Sequence, residues 1–396
     1  MLDSNAQLII SDECNVQNIR CMNINCLKNF SGDWTINAIR SNKERIAYIM
    51  YTSGSTGYPK GVKITYANLM NLIFAFNHII YNYMPVGTKV AVVASFSFDS
   101  SVKQIYCSLF YGMCLIIAST MDKMLGRKLV DFWNKNGIEV TDITPSHIPL
   151  IAASKKISFV KIYLVGGEKL YWNNVRMLKA CSSNECKIIN LYGPTECCVD
   201  ASFYEIKNDT LEYEEDIPIG KALQGTEIIL LDEYNNEIVE SGVKGELCIL
   251  GNQVGAGYLN IVSKRFFYRN GERAFKTGDY GFFDRNLCLH IIGRMDGQVK
   301  INGNRVELEE VKIALIRVVK SSKVTVLYDI SVGGLIGIMD CKTELRYSDI
   351  ILELRKYIEN YKIPKKIYNI PSFPLNENGK LDINKIKKLI GEKYEL

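Results

Sequence analysis

The sequence predicts an α/β protein with layered, mostly parallel sheets, a β-rich subdomain, and a small α+β domain at its C-terminal end. Over residues 47–195, short β-rich runs alternate with helical patterns, which is typical of a largely parallel sheet covered by helices. Over residues 217–292, short strands are separated by Gly and Asn turns, as in a β-rich unit. After Arg294 the pattern changes again, to a hairpin followed by mixed helices and strands.

These changes of pattern set the expected domain boundaries. We expect an N-terminal core over residues 1–294, whose β-rich subdomain covers about 217–294, and a C-terminal domain over residues 295–396. No internal repeat or low-complexity linker separates them.

Each element of the first region has its own signal. The predicted strands are enriched in β-branched and aromatic residues; they are AYIMYT, KVAVVAS, CLIIAS, IEVTDI, KIYLVGG and KIINLYG. The predicted helices lie between these strands; they cover residues 66–80, 101–111 and 129–136, with two more following Pro145 and Lys169.

The later elements are predicted in the same way. EIILLDE and GELCILG are strands of the β-rich subdomain, and QVKINGNRVEL is a hairpin with Asn302 and Gly303 at its turn. A helix over 309–319 and the strands KVTVLYD and LIGIMD follow. Further on, apolar residues at Ile351 and Ile358 predict a helix that ends before Pro364.

Composition excludes several functional classes. The chain has 396 residues, 47% of them hydrophobic, and its net charge of +5 is dispersed, so nucleic acid is not an expected partner. His78, His147 and His290 are far apart, which argues against zinc. Neither a signal peptide nor an apolar segment of membrane-spanning length is present, and the scattered cysteines suit a reducing compartment. We therefore expect a cytoplasmic protein without a membrane partner.

The segment TSGSTGYPKG, residues 52–61, carries the strongest chemical signal. Its glycines, hydroxyl side chains and one lysine suit a loop that wraps a polyphosphate with backbone N–H groups and a cation. It is not a Walker loop, because that motif needs G-x-x-x-x-G-K-[ST]. The expected ATP-binding residues are Thr52, Ser53, Gly54, Ser55, Thr56, Gly57 and Lys60.

With this string the chain resembles the adenylate-forming superfamily and, within it, the adenylation domains of non-ribosomal peptide synthetases. Further matching motifs follow in the same order; they are FSFDSSV, NLYGPTE, GELCILGNQVGAGYLN, FKTGDY, GRMDGQVKINGNRVELEE and NENGKLD. The resemblance implies that ATP and Mg²⁺ activate an amino acid as an adenylate, with release of pyrophosphate. It further implies transfer to the phosphopantetheine thiol of a peptidyl or acyl carrier protein in trans, and a C-terminal domain that is a mobile lid.

The resemblance also assigns nucleotide contacts. It places Asn190 and Tyr192 against the adenine, the ring by stacking, and Asp279 on both ribose hydroxyls, since a carboxylate has two acceptor oxygens. Arg294 resembles a further ribose or phosphate contact. Outside these motifs an Asp or an Arg is more often part of an exposed salt bridge.

Catalytic roles follow from the same resemblance. Lys380 in NGKLD is expected to neutralise charge on the substrate carboxylate and the α-phosphate, which requires positioning and electrostatics rather than an enzyme nucleophile. Thr195 is expected near the α-phosphate, and Glu196 is expected to ligate Mg²⁺. Asp296 resembles the hinge about which the C-terminal domain rotates.

The substrate pocket is assigned in the same way. Asp99 in FSFDSSV resembles the residue that holds the α-ammonium group of an amino acid. The remaining pocket positions, besides Lys380, are Ser100, Lys103, Asp142, Leu164, Gly166, Leu191, Val199 and Asp200. This set resembles pockets that select glutamate, in which a lysine meets the side-chain carboxylate of the substrate. The physical chemistry agrees, because an unpaired Lys103 in a closed pocket would be costly and an acidic substrate would pair with it. The alternative is that Lys103 pairs with Asp99, four residues away, or with Asp142 or Asp200, and glutamine is the next candidate substrate.

Two alternatives remain open. The phosphate-binding motif begins at residue 52, so the chain is short by roughly a hundred residues for a full enzyme of this type, which leaves an inactive remnant or docking module as a hypothesis. Glu310 in VELEE resembles carrier-protein D-alanine ligases and favours D-alanine as an alternative substrate, although Lys103 and the VGGE segment argue against it.

Overall fold

The structure is a computed structural model. It describes residues 8–11, 20–23, 42–52, 59–207, 217–294, 298–301, 303–321, 323–329, 332–340, 346–374 and 383–390. Among these residues no helix is both long and apolar enough to cross a bilayer.

The first part of the chain forms the predicted α/β layers. Its strands are β1 Leu8–Ser11, β2 Arg20–Asn23, β3 Ile46–Thr52, β4 Lys60–Thr65, β5 Lys89–Val92, β6 Cys114–Ile117, β7 Val140–Ile143, β8 Ile162–Val165, β9 Lys187–Tyr192, β10 Ser202–Glu205 and β11 Lys221–Ala222. Its helices are α1 Tyr66–Ile79, α2 Ser100–Phe110, α3 Thr120–Met124, α4 Gly126–Asn136, α5 His147–Ala153 and α6 Trp172–Ala180.

The central sheet is largely parallel, as the sequence predicts. Its order is β6-β5-β7-β8-β9-β10-β11, in which β6 to β9 are parallel and β10 and β11 are antiparallel. The strands β3 and β4 form a separate antiparallel pair that places Thr52 opposite Lys60. The two ends of the phosphate-binding motif therefore lie side by side.

The helices of this layer begin and end where local chemistry favours it. Thr65 caps α1 through a reciprocal capping box with Asn68, and Gly137 ends α4 in the left-handed conformation that glycine adopts at low cost. Leu129 and Trp133 of α4 are fully buried against the sheet. Helix α4 begins earlier than residue 129 because the short helix α3, which the sequence pattern did not predict, leads directly into it.

The β-rich subdomain is an antiparallel sheet. Its strands are β12 Thr226–Leu231, β13 Glu237–Ile238, β14 Gly245–Gly251, β15 Phe266–Arg269, β16 Glu272–Phe283 and β17 Leu289–Arg294. Their order is β13-β12-β14-β16-β15, with β17 also paired to β16. This last pairing sets Asp279 directly opposite Arg294.

The C-terminal unit contains the predicted hairpin and an α+β layer. Its elements are β18 Gln298–Ile301, β19 Asn304–Glu307, α7 Leu308–Val319, β20 Val324–Asp329, β21 Gly334–Met339, α8 Tyr347–Leu354, β22 Lys366–Asn369 and α9 Ile383–Ile390. Gly303 has φ +77° at the hairpin turn, a conformation that favours glycine. Helix α8 ends at Leu354, before Ile358, which is nevertheless buried in the same apolar cluster from the turns that follow.

A buried ion cluster ties α7 to the segment before β22. Lys362 is almost fully buried, and its Nζ lies 2.7 Å from Glu310 and 2.8 Å from Glu359. Glu310 is the position at which VELEE differs from the peptide-synthetase pattern, and Lys362 is its structural partner. Pairing with the buried lysine gives Glu310 a structural role within the C-terminal unit.

This cluster predicts a large effect on stability. Lys362→Met should lower the free energy of unfolding by about 3–5 kcal/mol, because the carboxylate of Glu310 is left buried without its cation. Lys323→Met, which breaks the exposed pair between Lys323 and Asp340, should cost less than about 1 kcal/mol. Urea denaturation measures both values, and equal losses would contradict this account of Glu310.

Candidate active site

A cavity of about 290 Å³ lies at the carboxyl ends of the parallel strands. Its wall includes the residues that follow β5, β7, β8 and β9 and the first residues of α2. Lys300 and Gly303 of the C-terminal hairpin also line it. Ligands of open α/β sheets bind at this edge, where the loops diverge.

Most of the predicted site residues meet at this cavity. Those that line it are Thr52, Asp99, Ser100, Lys103, Asp142, Gly166, Tyr192, Thr195, Val199, Asp200, Asp279 and Arg294. Ser53, Gly54, Ser55, Thr56 and Gly57 of the phosphate-binding motif, the catalytic candidate Lys380 and the hinge candidate Asp296 lie outside the described residues. Those assignments stay predictions.

One end of the cavity contains a hydrogen-bonded group of three predicted nucleotide contacts. The Tyr192 hydroxyl donates to Asp279 Oδ2 at 2.5 Å, and Arg294 Nη1 donates to Asp279 Oδ1 at 2.9 Å. Burial raises the pKa of Tyr192, and the nearby Asp279 adds to the shift, so the hydroxyl stays a donor at neutral pH. Both carboxylate oxygens of Asp279 are therefore already oriented by donors, and they are acceptors of the kind that a diol requires.

Three predicted residues are buried beside the cavity without lining it. Asn190 donates from its side-chain amide to the carbonyl oxygen of Pro218 at 2.8 Å. Leu164 and Leu191 pack in the same apolar cluster as Val199. These leucines support the cavity wall from behind, and the Asn190 amide is oriented by a backbone partner.

The predicted Mg²⁺ ligand is also buried. Glu196 is 1% exposed, and its Oε1 accepts a hydrogen bond from the Tyr258 hydroxyl at 2.6 Å. Lys60 Nζ lies 5.7 Å from the centre of the same tyrosine ring. Within the described ranges, no group of three or more His, Cys, Asp or Glu side chains could hold a metal. A single carboxylate next to Thr195 fits Mg²⁺ that is held mainly by the phosphates of a nucleotide.

The other predicted pocket residues form a buried ion cluster. Lys103 is 3% exposed, and its Nζ lies 2.6 Å from Asp142 Oδ1 and 2.9 Å from Asp200 Oδ2. Burial alone would lower the pKa of Lys103, but the two carboxylates outweigh it, and the pKa is raised. Of the alternatives that the sequence left open, pairing of Lys103 with Asp142 and Asp200 is the one found, and pairing with Asp99 is not. Helix α2 and the sheet bring the lysine to two acids that are distant in sequence.

One carboxylate oxygen of this cluster, Asp200 Oδ2, can accept a further hydrogen bond. Asp200 Oδ2 is buried, and apart from the ion contact with Lys103 it meets no donor in hydrogen-bonding geometry among the residues that the structure describes. Burial raises the pKa of Asp142, and the charge of Lys103 only partly offsets this. A ligand that donates to one of these oxygens would be stabilised.

Asp99 pairs with Thr195, not with Lys103. The Thr195 hydroxyl donates to Asp99 Oδ2 at 2.5 Å, which joins the start of α2 to the turn after β9. Burial raises the pKa of Asp99; the hydrogen bond from Thr195 and the charge of Lys300 oppose the shift. A partly buried carboxylate that accepts hydrogen bonds from neutral groups would be stabilised further by a cationic ligand.

Sequence reasoning missed Glu168, which joins the core to the C-terminal hairpin. Glu168 Oε2 accepts from the backbone N–H of Ser146 at 3.0 Å, and Oε1 accepts from that of Gly303 at 2.8 Å. A Cβ atom on Gly167 would lie 3.3 Å from Gly303 Cα. The glycine pair in VGGE and the NG turn were the available signals, because a close approach of two backbones favours glycine.

Two further cavity residues were not predicted. His147 Nδ1 lies 2.7 Å from Thr144 Oγ1 and accepts from the Thr144 backbone N–H at 3.2 Å, and burial lowers its pKa. Lys300 Nζ lies 5.9 Å from the centre of the Tyr192 ring. His147 stands outside the quoted motifs, whereas Lys300 lies within GRMDGQVKINGNRVELEE, and that motif was the available signal for it.

The fold and this cavity together define an enzyme of the nucleotide-dependent, AMP-binding kind. A profile of the family described as "AMP-binding enzyme" matches residues 3–259, and the chain belongs to this family. It is 34% identical over 352 residues to bacitracin synthase 1 of Bacillus licheniformis, covering 86% of this chain and 7% of that protein.

Two further similarities agree with this family. The chain is 33% identical to a D-alanine–D-alanyl carrier protein ligase of Bacillus licheniformis, covering 86% of this chain and 70% of the ligase. The Vibrio cholerae adenylation domain AlmE, solved in complex with glycyl-adenosine-5'-phosphate, superposes with a TM-score of 0.79 at 25% identity, covering 89% of this chain and 68% of that one.

The contact of Glu168 with the hairpin predicts a local change in dynamics. Glu168→Ala should speed hydrogen exchange of the Gly303 amide by about tenfold, because one hydrogen bond of ordinary strength is lost. Glu185→Ala, at an exposed position of the same sheet layer, serves as the control. Exchange that is equally fast in both variants and the parent would contradict the bridging role.

Proposed function

We propose that this chain activates an α-amino acid as its adenylate with ATP and then passes the aminoacyl group to a carrier-protein thiol. The observation that carries the proposal is that one cavity contains both Asp279, oriented by Tyr192 and Arg294, and the partly buried carboxylate of Asp99. The first group suits a ribose, and the second suits an α-ammonium group. The name of the carrier protein ligase and the adenylate bound to AlmE support the same reaction.

The chemistry of the first step follows from these positions. A carboxylate oxygen of the amino acid attacks the α-phosphorus of ATP, a new P–O bond forms, and pyrophosphate leaves. Asp99 holds the α-ammonium group of the substrate, which releases the Thr195 hydroxyl to donate to an α-phosphate oxygen. Glu196 would hold Mg²⁺, which supplies charge neutralisation on the phosphates.

The remaining residues act by positioning and charge. Lys380 would add a cation where negative charge accumulates between the carboxylate and the α-phosphate. In the second step the phosphopantetheine thiol of a peptidyl or acyl carrier protein, acting in trans, attacks the acyl carbon, and AMP leaves. Rotation about Asp296 would exchange the C-terminal residues that face the cavity between the two steps.

The ion cluster around Lys103 favours a side chain with a terminal carboxyl or carboxamide group. Glutamate is the substrate that the pocket positions indicate, and its carboxylate would take the remaining donor of Lys103. Two acids already face this one cation, so a third carboxylate from glutamate favours a proton on Asp142, whose pKa burial raises. Glutamine requires none, because its amide could donate to Asp200 and accept from Lys103.

D-Alanine fits this cavity less well. Its methyl side chain would leave the buried Oδ2 of Asp200 without a hydrogen-bond donor from the substrate. An inactive docking module is the other alternative. The chain spans 7% of the length of bacitracin synthase 1 and 70% of the D-alanyl ligase. Both alternatives are outcomes of the exchange assay below.

Amino-acid-dependent exchange of pyrophosphate into ATP tests the proposed function. All common amino acids and D-alanine are assayed with purified protein, and we expect exchange with glutamate or glutamine only. Lys380→Ala should reduce exchange by about 10²-fold or more, because an electrostatic contact to the transition state is removed. Lys387→Ala, in the exposed face of α9, should leave it unchanged. Exchange with D-alanine alone, or none with any amino acid, would reject this substrate assignment.

The pH dependence of KM should differ between glutamate and glutamine as substrates. Because burial raises the pKa of Asp142, this acid is the one expected to take up a proton when glutamate binds. The KM for glutamate should therefore fall as the pH is lowered from about 8 to about 6, by at most about tenfold per pH unit for one proton. The KM for glutamine should stay flat, and parallel profiles would show that no proton is taken up at the cluster.

A further inference from the structure

The turn that carries Val199 and Asp200 has an unfavourable backbone conformation. Cys198 has φ +50° and Val199 has φ +75°, so two consecutive residues other than glycine occupy the left-handed region. This conformation is especially costly for a β-branched residue such as valine. Both Val199 and Asp200 line the cavity, so the strained turn is part of the proposed substrate pocket.

Gln253 holds this turn from the side away from the cavity. Its Nε2 donates to the carbonyl oxygen of Cys198 at 3.1 Å and to that of Asp200 at 2.8 Å. The two accepting carbonyls flank Val199, so one amide group bridges the strained residue. Gln253 is fully buried and does not line the cavity.

The position of the Gln253 amide is itself fixed. Its Oε1 accepts a hydrogen bond from Asn71 Nδ2 at 2.7 Å, and Asn71 lies on α1. This contact determines which end of the amide faces the turn. Gln253 follows β14, so the β-rich subdomain reaches the pocket of the α/β layer through this side chain.

On its other face the turn is confined by Gly193. A Cβ atom at Gly193 would lie 2.4 Å from the carbonyl oxygen of Val199 and 2.6 Å from Asp200 Cα. The turn is therefore enclosed between Gly193 and Gln253. Its position in turn sets the 2.9 Å contact between Asp200 and Lys103.

We propose that Gln253 is a positioning residue that sets the amino-acid selectivity of the site by holding the 198–200 turn. This inference rests on the proposed function, because selectivity has meaning only if an amino acid is activated. Gln253 acts through Asp200 and Val199 and does not line the cavity in which the amino acid and ATP would bind. Its effect therefore belongs to recognition of the side chain and leaves binding of the nucleotide unaffected.

Gln253→Met tests the proposal, because methionine has a similar length and lacks both donors. We expect the KM of the preferred amino acid to rise about tenfold and discrimination between glutamate and glutamine to fall, with the KM for ATP within about twofold of the parent. Tyr163→Phe, which removes a buried hydrogen bond to Ser182 in another core cluster, controls for general destabilisation. It should leave selectivity unchanged.

A double-mutant cycle with Asp200→Asn asks whether Gln253 acts through this turn. If it does, the change in the glutamate-to-glutamine ratio in the double variant is smaller than the product of the two single changes. If Gln253→Met does not fold, Asn71→Ala replaces it. In that variant the Gln253 amide loses only the hydrogen bond that Asn71 donates to its Oε1. Independent effects, or selectivity that is unchanged while the melting temperature falls, would overturn the proposal.

A crystal structure of the Gln253→Met protein gives a readout that needs no activity. We expect the 198–200 turn to relax and the Asp200 carboxylate to move beyond about 4 Å from Lys103 Nζ, the limit of an ion pair. An unchanged turn would reject the positioning role even if the parent were inactive. Conversely, a parent without exchange for any amino acid, combined with a relaxed turn, would reject the proposed function while keeping the positioning role.

Discussion

Burial of the Lys103 ammonium group is the constraint on which the rest of the cavity depends. A cation that is 3% exposed must be matched by acids at short distance, and its two partners come from β7 and from the turn after β9. The parallel sheet must therefore present these elements in one register. That arrangement simultaneously places Asp99, at the start of α2, at the same cavity.

The same constraint explains why a strained turn persists in the cavity wall. Asp200 can reach Lys103 only if the chain reverses sharply after Cys198, and the left-handed residues provide this reversal. The cost is compensated by contacts from outside the α/β layer, chiefly the amide of Gln253. Selectivity in this account is a property of two packed units, since neither unit alone contains both the turn and the residue that holds it.

Much of the fold could be predicted because it follows from local patterns. The alternation of β-rich runs and helical faces gave the parallel sheet, and the NG turn gave the hairpin with Gly303 at positive φ. The end of α8 could not be predicted, since Ile358 continues the apolar face but is buried from a turn instead. The resemblance of the sequence motifs to the family also indicated which residues meet at the cavity, although these residues come from helix α2 and from several sheets.

The sequence could not decide the pairing within the site, because it depends on contacts between distant residues. Spacing allowed Lys103 to pair with Asp99 and left Asp142 and Asp200 as alternatives, whereas tertiary structure pairs it with both Asp142 and Asp200. Glu168 and Gln253 were missed for a related reason: both act on backbone groups, and backbone partners leave no complementary side chain in the sequence.

The most direct measurement is a crystal structure of the protein with a hydrolysis-resistant adenylate analogue of glutamate or glutamine. We expect the ribose hydroxyls to contact Asp279, the α-ammonium group to contact Asp99, and the terminal side-chain group to lie within about 3.2 Å of Lys103 Nζ. A side chain that points away from Lys103, or an analogue bound outside this cavity, would contradict this expectation.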